Sequence, residues 1–224
     1  MSFYDRLLSE TRTAREAFLA IPLVQSTIHS GPVTRDLYIG FLSEAYNHVS
    51  HTFPLLALAA SRTSDERYQD ALFEYMKEER GHEKWILDDI RAMGGDADAV
   101  RAGAPGEACR IMVGYSYYAI EHVSPYALLG SVHVLEGMSV MLANSVADAV
   151  KDALGSPDGK GYSYLRSHGA LDIAHVDFFR TLVNGYDDPV VQRIIIEQSR
   201  IFYRLYGGIF RDLGARIGLY HATA

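Results

Sequence analysis

The sequence predicts an all-α protein, a single bundle of about seven helices. Three observations predict it: apolar residues recur at helical period along nearly the whole chain, β-type alternation bounded by hairpin turns is hard to find, and Gly/Pro punctuation separates long helical runs. The first helix is expected over residues 2–20, followed by a short turn over 22–29 that the Gly31-Pro32 pair ends. A second runs from Thr34 to Ser61 and bends at Pro54, whose ring removes an amide and crowds the preceding turn. The third starts after the capping pattern Ser64-Asp65-Glu66 and continues to Met93, where Gly94-Gly95 stops it. A fourth covers 105–123. Pro125 forces a boundary, and the fifth reaches Leu154 before the turn Gly155 to Gly159. The sixth spans 161–184, and the last begins at Asp188-Pro189 and ends near Ile217.

Composition bounds the functional classes. The chain has 224 residues, 48% hydrophobic and 22% charged, which suits one compact domain over 1–224 with a sizeable core. A net charge of −7 without basic clusters argues against nucleic acid or an acidic membrane surface as partner. Cys109, the one cysteine, cannot form an internal disulfide, and the N-terminus lacks a signal peptide's basic start and apolar stretch, so a cytoplasmic location is expected. No segment offers the roughly 20 uninterrupted apolar residues of a spanning helix.

The chemistry concentrates in acidic and imidazole groups. His168, Asp172 and His175 stand at i, i+4 and i+7 and share one helix face over about 11 Å. Glu79 and His82 form a Glu-x-x-His pair on the third helix. Glu136 interrupts the apolar stretch Ala127 to Ala143, where a carboxylate is costly unless paired or metal-bound. Three carboxylates and three imidazoles suit two iron ions with mixed nitrogen and oxygen ligation, whereas a single zinc needs only three or four of them. Glu44, His48 and His51 repeat the same spacing on the second helix. They are candidates for lining a substrate pocket, hydrogen-bonding the ligands or forming a competing site. His122 and His133 are expected to be structural. Tyr46, Tyr75, Tyr115, Tyr118 and Phe178 are candidates for the pocket, and Arg110, Arg180 and Arg204 for pairing a substrate carboxylate.

The ordered series Glu79-x-x-His82, Glu136, His168-x-x-x-Asp172-x-x-His175 resembles the haem-oxygenase-like diiron oxidases and oxygenases, a group close to the TenA, PqqC and chlamydial CADD-like proteins. The stretches Tyr46 to Pro54 and Glu78 to Trp85 are also similar to members of this group. The resemblance implies a haem-oxygenase-like fold and two Fe(II) per chain, one held by Glu79, His82 and His168 and the other by Glu136, Asp172 and His175. It implies dioxygen as co-substrate, oxidation or cleavage of a small carboxylate-bearing metabolite of amino-acid or fatty-acid type, an external electron donor and a homodimer. The chain departs from some members in carrying Tyr75 seven residues before His82, where they place a carboxylate; Glu79 takes that role here, with Glu78 as substitute. It lacks the core cysteine of TenA-type thiaminases and a proximal histidine on the first helix, His29 lying beyond it. The alternatives are a metal-free PqqC- or TenA-like oxidase and a small-molecule-binding protein on the same fold.

Overall fold

The computed structural model describes residues 1–29, 31, 33–155 and 160–219, without the side chains of 168–173. Among these residues the secondary structure is helical throughout, in twelve segments rather than seven. The additional segments arise where the predicted helices break.

The first predicted helix divides into α1 (Phe3–Glu10) and α2 (Arg12–Leu19). The Thr11 hydroxyl donates to the Leu7 carbonyl at 2.7 Å and draws the chain out of line. After α3 (Pro22–Ile28), the second becomes α4 (Arg35–Val49) and α5 (Thr52–Ser61). Pro54 has no amide to give the Ser50 carbonyl, so the ladder stops one turn ahead of it. The third becomes α6 (Glu66–Glu79) and α7 (His82–Ala92), because Gly81 adopts a left-handed φ of 98° that favours glycine. A short α8 (Ala97–Ala102), capped by Asp96, fills a stretch expected to be loop. The remaining helices, α9 (Glu107–His122), α10 (Ala127–Leu154), α11 (Ser163–Asn184) and α12 (Pro189–Arg216), lie close to their predicted bounds.

The central rod is α10, which packs against α9, α11 and α12 and touches α3 and α5. Its Gly130 permits the closest approach: a Cβ there would stand 2.5 Å from Gln198 Cβ and 2.7 Å from the Ser199 amide nitrogen of α12. By length and composition α10 could cross a membrane, yet half of its most apolar window is buried within the bundle. Core rods of helical bundles share that composition.

Two tethers fix the helices that matter for the site. The buried Asp89 of α7 accepts hydrogen bonds from the Ser163 amide and hydroxyl, at 3.0 and 2.7 Å, and from the Tyr164 amide at 2.8 Å. It therefore caps α11 from a different helix. Burial raises the Asp89 pKa, and these hydrogen bonds oppose the rise. His133 of α10, also buried, lies 3.4 Å from the Thr11 hydroxyl, and burial depresses its pKa to about 3. It is structural, as expected.

Candidate metal centre

Glu79 is the last residue of α6 and His82 the first of α7, so the Glu-x-x-His pair straddles a helix break. The left-handed Gly81 folds the junction so that Glu79 Oε2 still lies 3.2 Å from His82 Nδ1. Glu136 comes from α10 and His175 from α11. His175 Nδ1 stands 3.6 Å from Glu136 Oε1 and 3.8 Å from Glu79 Oε1. The four side chains are only 5% to 13% exposed.

Glu78, the weaker choice from sequence, supplies a distinct contact: its Oε2 lies 2.8 Å from His175 Nε2. When His175 donates that Nε2–H, its Nδ1 turns a lone pair toward two carboxylate oxygens. A set of acceptors facing one another is what a metal cation satisfies, and a carboxylate behind a ligating imidazole is the usual orienting partner. Two carboxylates and two imidazoles also match the mixed ligation of iron. Among the described residues no three such groups stand close enough together to hold a metal ion by themselves. The predicted ligands His168 and Asp172 have side chains outside the described residues.

Aromatic rings wall the cluster. Trp85 stacks on His82 with ring centroids 4.2 Å apart, and Tyr75 meets His175 edge-on at 6.1 Å. Tyr75 is 2% exposed, and its buried hydroxyl oxygen has no hydrogen-bond partner among the described residues. Burial, then the negative charges of Glu136 and Glu79, raises its pKa well above the ordinary phenol range.

Tyr75, Glu79 and Glu136 open onto a cavity of about 190 Å³. One face of α10 lines it from Val132 through Leu135, Ser139, Leu142 and Val146 to Val150, roughly 27 Å at about 1.5 Å per residue. Phe18, Leu37, Phe41 and Phe210 are among the residues on its other walls, and no lysine or arginine lines it among the described residues. His48 reaches this wall and meets Tyr206 edge-on at 6.1 Å, in keeping with a pocket role.

The other candidates lie elsewhere. Glu44 accepts from the Gly106 amide at the start of α9, at 3.0 and 3.2 Å, and from Arg216 of α12 at 3.2 Å. Its charge is thus spent on a helix N-terminus and a distant cation. His51 falls in the break before α5, which turns it away from the Glu44 and His48 face, and its Nδ1 pairs with the Tyr117 hydroxyl at 2.9 Å. Tyr46 packs with the cluster around Tyr38 and Ile86, and the Tyr115 hydroxyl donates to Gln198 at 2.9 Å. Tyr118 lies on the surface beside an exposed His122, and Phe178 is partly exposed, packing against the outer side of Tyr75. Arg110, Arg180 and Arg204 are exposed and off the cavity wall. Cys109 is buried, its thiol pushed up to about 12 chiefly by burial, so it is no nucleophile.

The sequence is matched over residues 39–207 by the family model of the iron-containing redox enzymes. The chain belongs to that family. No curated protein matches it significantly in sequence. Solved structures establish its haem-oxygenase-like fold. A domain of unknown function from Shewanella denitrificans superposes with a TM-score of 0.85 at 21% identity, covering 99% of this chain and 96% of its own. Heme oxygenase-2 from Synechocystis, in complex with heme and NO, gives 0.78 at 16% identity, over 98% of this chain and 88% of its own. A TenA homolog from Pseudomonas syringae gives 0.76 at 12% identity, over 96% and 93%. At these identities the likeness is one of fold. The cluster at the α6–α7 junction brings together four of the six side chains singled out in the sequence, Glu79, His82, Glu136 and His175.

Proposed function

We propose that the chain is a non-haem, dioxygen-dependent oxidase or oxygenase that holds two Fe(II). The observation that carries this reading is the convergence of Glu79, His82, Glu136 and His175 at the inner end of an apolar cavity. His168 and Asp172, named by the family-like motif, complete the six-ligand set in this reading. Bound iron supplies dioxygen activation, which side chains alone do not provide.

The chain's residues supply the rest. Glu78 orients the His175 ring, and Trp85 and Tyr75 pack the imidazoles in place. The apolar walls along α10 exclude water from the reacting end of the cavity. They also favour the fatty-acid over the amino-acid type of substrate, because an ammonium group would be desolvated against Leu135, Leu142 and Val146. With no basic side chain on the described wall, the substrate's carboxylate belongs at the polar, iron-holding end. A homodimer and an external electron donor accompany this reading through the family resemblance, and the lone cysteine and N-terminal composition favour a cytoplasmic location.

Anaerobic titration with ferrous iron followed by exposure to oxygen tests it. Near two irons per chain, oxygen uptake and a transient visible band are expected. Absence of iron binding, or binding and uptake unchanged in Glu136→Ala and His175→Ala, removes the reading and leaves a metal-free oxidase or a binding protein.

A further inference from the structure

Among the described residues, Tyr75 and Tyr186 bury hydroxyls that find no hydrogen-bond partner. A buried phenol ordinarily finds a hydrogen-bond partner, and leaving one without destabilises the fold. Two tyrosines of the same core region obey the rule: Tyr68 donates to the Pro125 carbonyl at 3.0 Å, and Tyr126 to Asp65 at 2.8 Å. Of the two exceptions, Tyr186 has the Arg67 guanidinium over its ring at 4.2 Å, and it is Tyr75, two turns along α6 from Tyr68, that stands at the carboxylate cluster. Its ring is held edge-on between His175 and Phe178, at 6.1 and 5.2 Å, so the hydroxyl is rigidly placed. The same side chain lines the cavity beside Glu79 and Glu136.

We propose that the Tyr75 hydroxyl is a standing hydrogen-bond donor to the exogenous oxygen or anion ligand that occupies the iron-holding end of the cavity, its partner being that ligand rather than any described protein group. The inference rests on the iron reading above and adds a residue to it that the motif does not contain. A phenol is suited to the task. It is uncharged, so it does not compete for the cation as a further carboxylate would, and its proton is directed at negative charge gathered there. A buried polar group that no described protein atom satisfies is the mark of a residue kept for binding.

Two measurements on the full chain test this, using Tyr75→Phe, which removes one oxygen and keeps the ring. In the first, wild type and variant are loaded with Co(II) and titrated with azide, followed through the cobalt visible spectrum. Co(II) stoichiometry and affinity are expected to be equal, while azide binds the variant about tenfold or more weakly, the worth of a hydrogen bond to a charged acceptor. In the second, the metal-free proteins are melted, and Tyr75→Phe is expected to match or exceed wild type because it deletes a polar group with no partner. Equal azide affinity overturns the proposal while leaving the iron reading intact, and so does a metal-free variant that melts lower or fails to fold. Failure of Co(II) to bind wild type overturns both.

Discussion

Glu78 Oε2 lies 2.8 Å from His175 Nε2, across the interface of α6 and α11, while Nδ1 of the same ring faces Glu79 and Glu136. Two consecutive glutamates therefore serve one histidine from opposite sides. This is feasible only because α6 ends at Glu79, which frees the second carboxylate from helical geometry and lets it swing toward His82 as well. The pair also accounts for the similarity of Glu78 and Glu79 as candidates in the sequence.

That division of labour predicts unequal effects. Glu78→Ala removes the group that orients His175 and is expected to weaken Fe(II) or Co(II) binding about 10- to 100-fold without changing the stoichiometry. Glu78→Gln keeps an acceptor oxygen and is expected to lose less. Glu79→Ala removes a proposed ligand and should lower the number of ions bound. Metal titration of the three variants distinguishes these roles. Equal stoichiometry and affinity for Glu79→Ala and wild type would contradict them.

How far the centre was legible in the sequence follows from the same junction. Residue types and order singled out Glu79, His82, Glu136 and His175, whose side chains the fold brings together; Glu136 stood out because a carboxylate among leucines and valines demands a partner whatever its neighbours do. Helical spacing alone misled at Glu44 and His51. Glu44 is drawn to Arg216, 172 positions away in the chain, a contact that local periodicity cannot report. His51 left the shared face because Pro54 breaks the helix one turn earlier than a simple bend would require. The cavity wall was also hidden. Val132, Leu135, Ser139, Leu142, Val146 and Val150 show the apolar period of any core-facing helix, and a helix facing a void writes the same pattern as one facing a neighbour.

Asp89 predicts how firmly α11 is seated. Asp89→Ala strips the acceptor from two backbone amides and one hydroxyl at the start of that helix, and α11 has no side-chain cap of its own. The expected loss is about 2–3 kcal/mol, the combined scale of a helix cap and a buried unsatisfied donor. Urea unfolding measures it. Because α11 carries His175, metal affinity is expected to fall in parallel, and a stable variant with unaltered affinity would show that the cap is dispensable.

His133 predicts the acid limb of stability. In the unfolded chain it titrates near its ordinary 6.5, whereas burial holds it at about 3 in the fold. Above pH 6.5 neither state carries the extra proton and the residue contributes no pH dependence. As pH falls from 6.5 toward 3 the unfolded chain binds a proton that the folded chain refuses, so stability declines, by about 3 kcal/mol at pH 4. His133→Phe, which can keep the stacking on Phe179, is expected to flatten that part of the curve. Urea midpoints at pH 7 and pH 4 for both proteins check the sign. An equally steep decline in the variant would assign the acid limb to other groups.

The apolar channel makes the last prediction, because it separates the two substrate types. Ala143 lines the cavity one heptad beyond Glu136, about 10 Å further along α10. A phenyl ring there blocks the channel's middle while leaving the carboxylates and imidazoles of the centre untouched. Ala143→Phe is therefore expected to keep its metal stoichiometry and to bind straight-chain fatty acids longer than about 10 Å at least tenfold more weakly than wild type. Short-chain acids should bind both proteins alike. Overpacking costs about 1–3 kcal/mol, so a melting curve must accompany the titration to show that the variant is folded. If chain length makes no difference to either protein, or if amino acids bind and fatty acids do not, the channel is not the substrate site. An alkyl chain running along α10 would then give way to a compact substrate held wholly at the iron end.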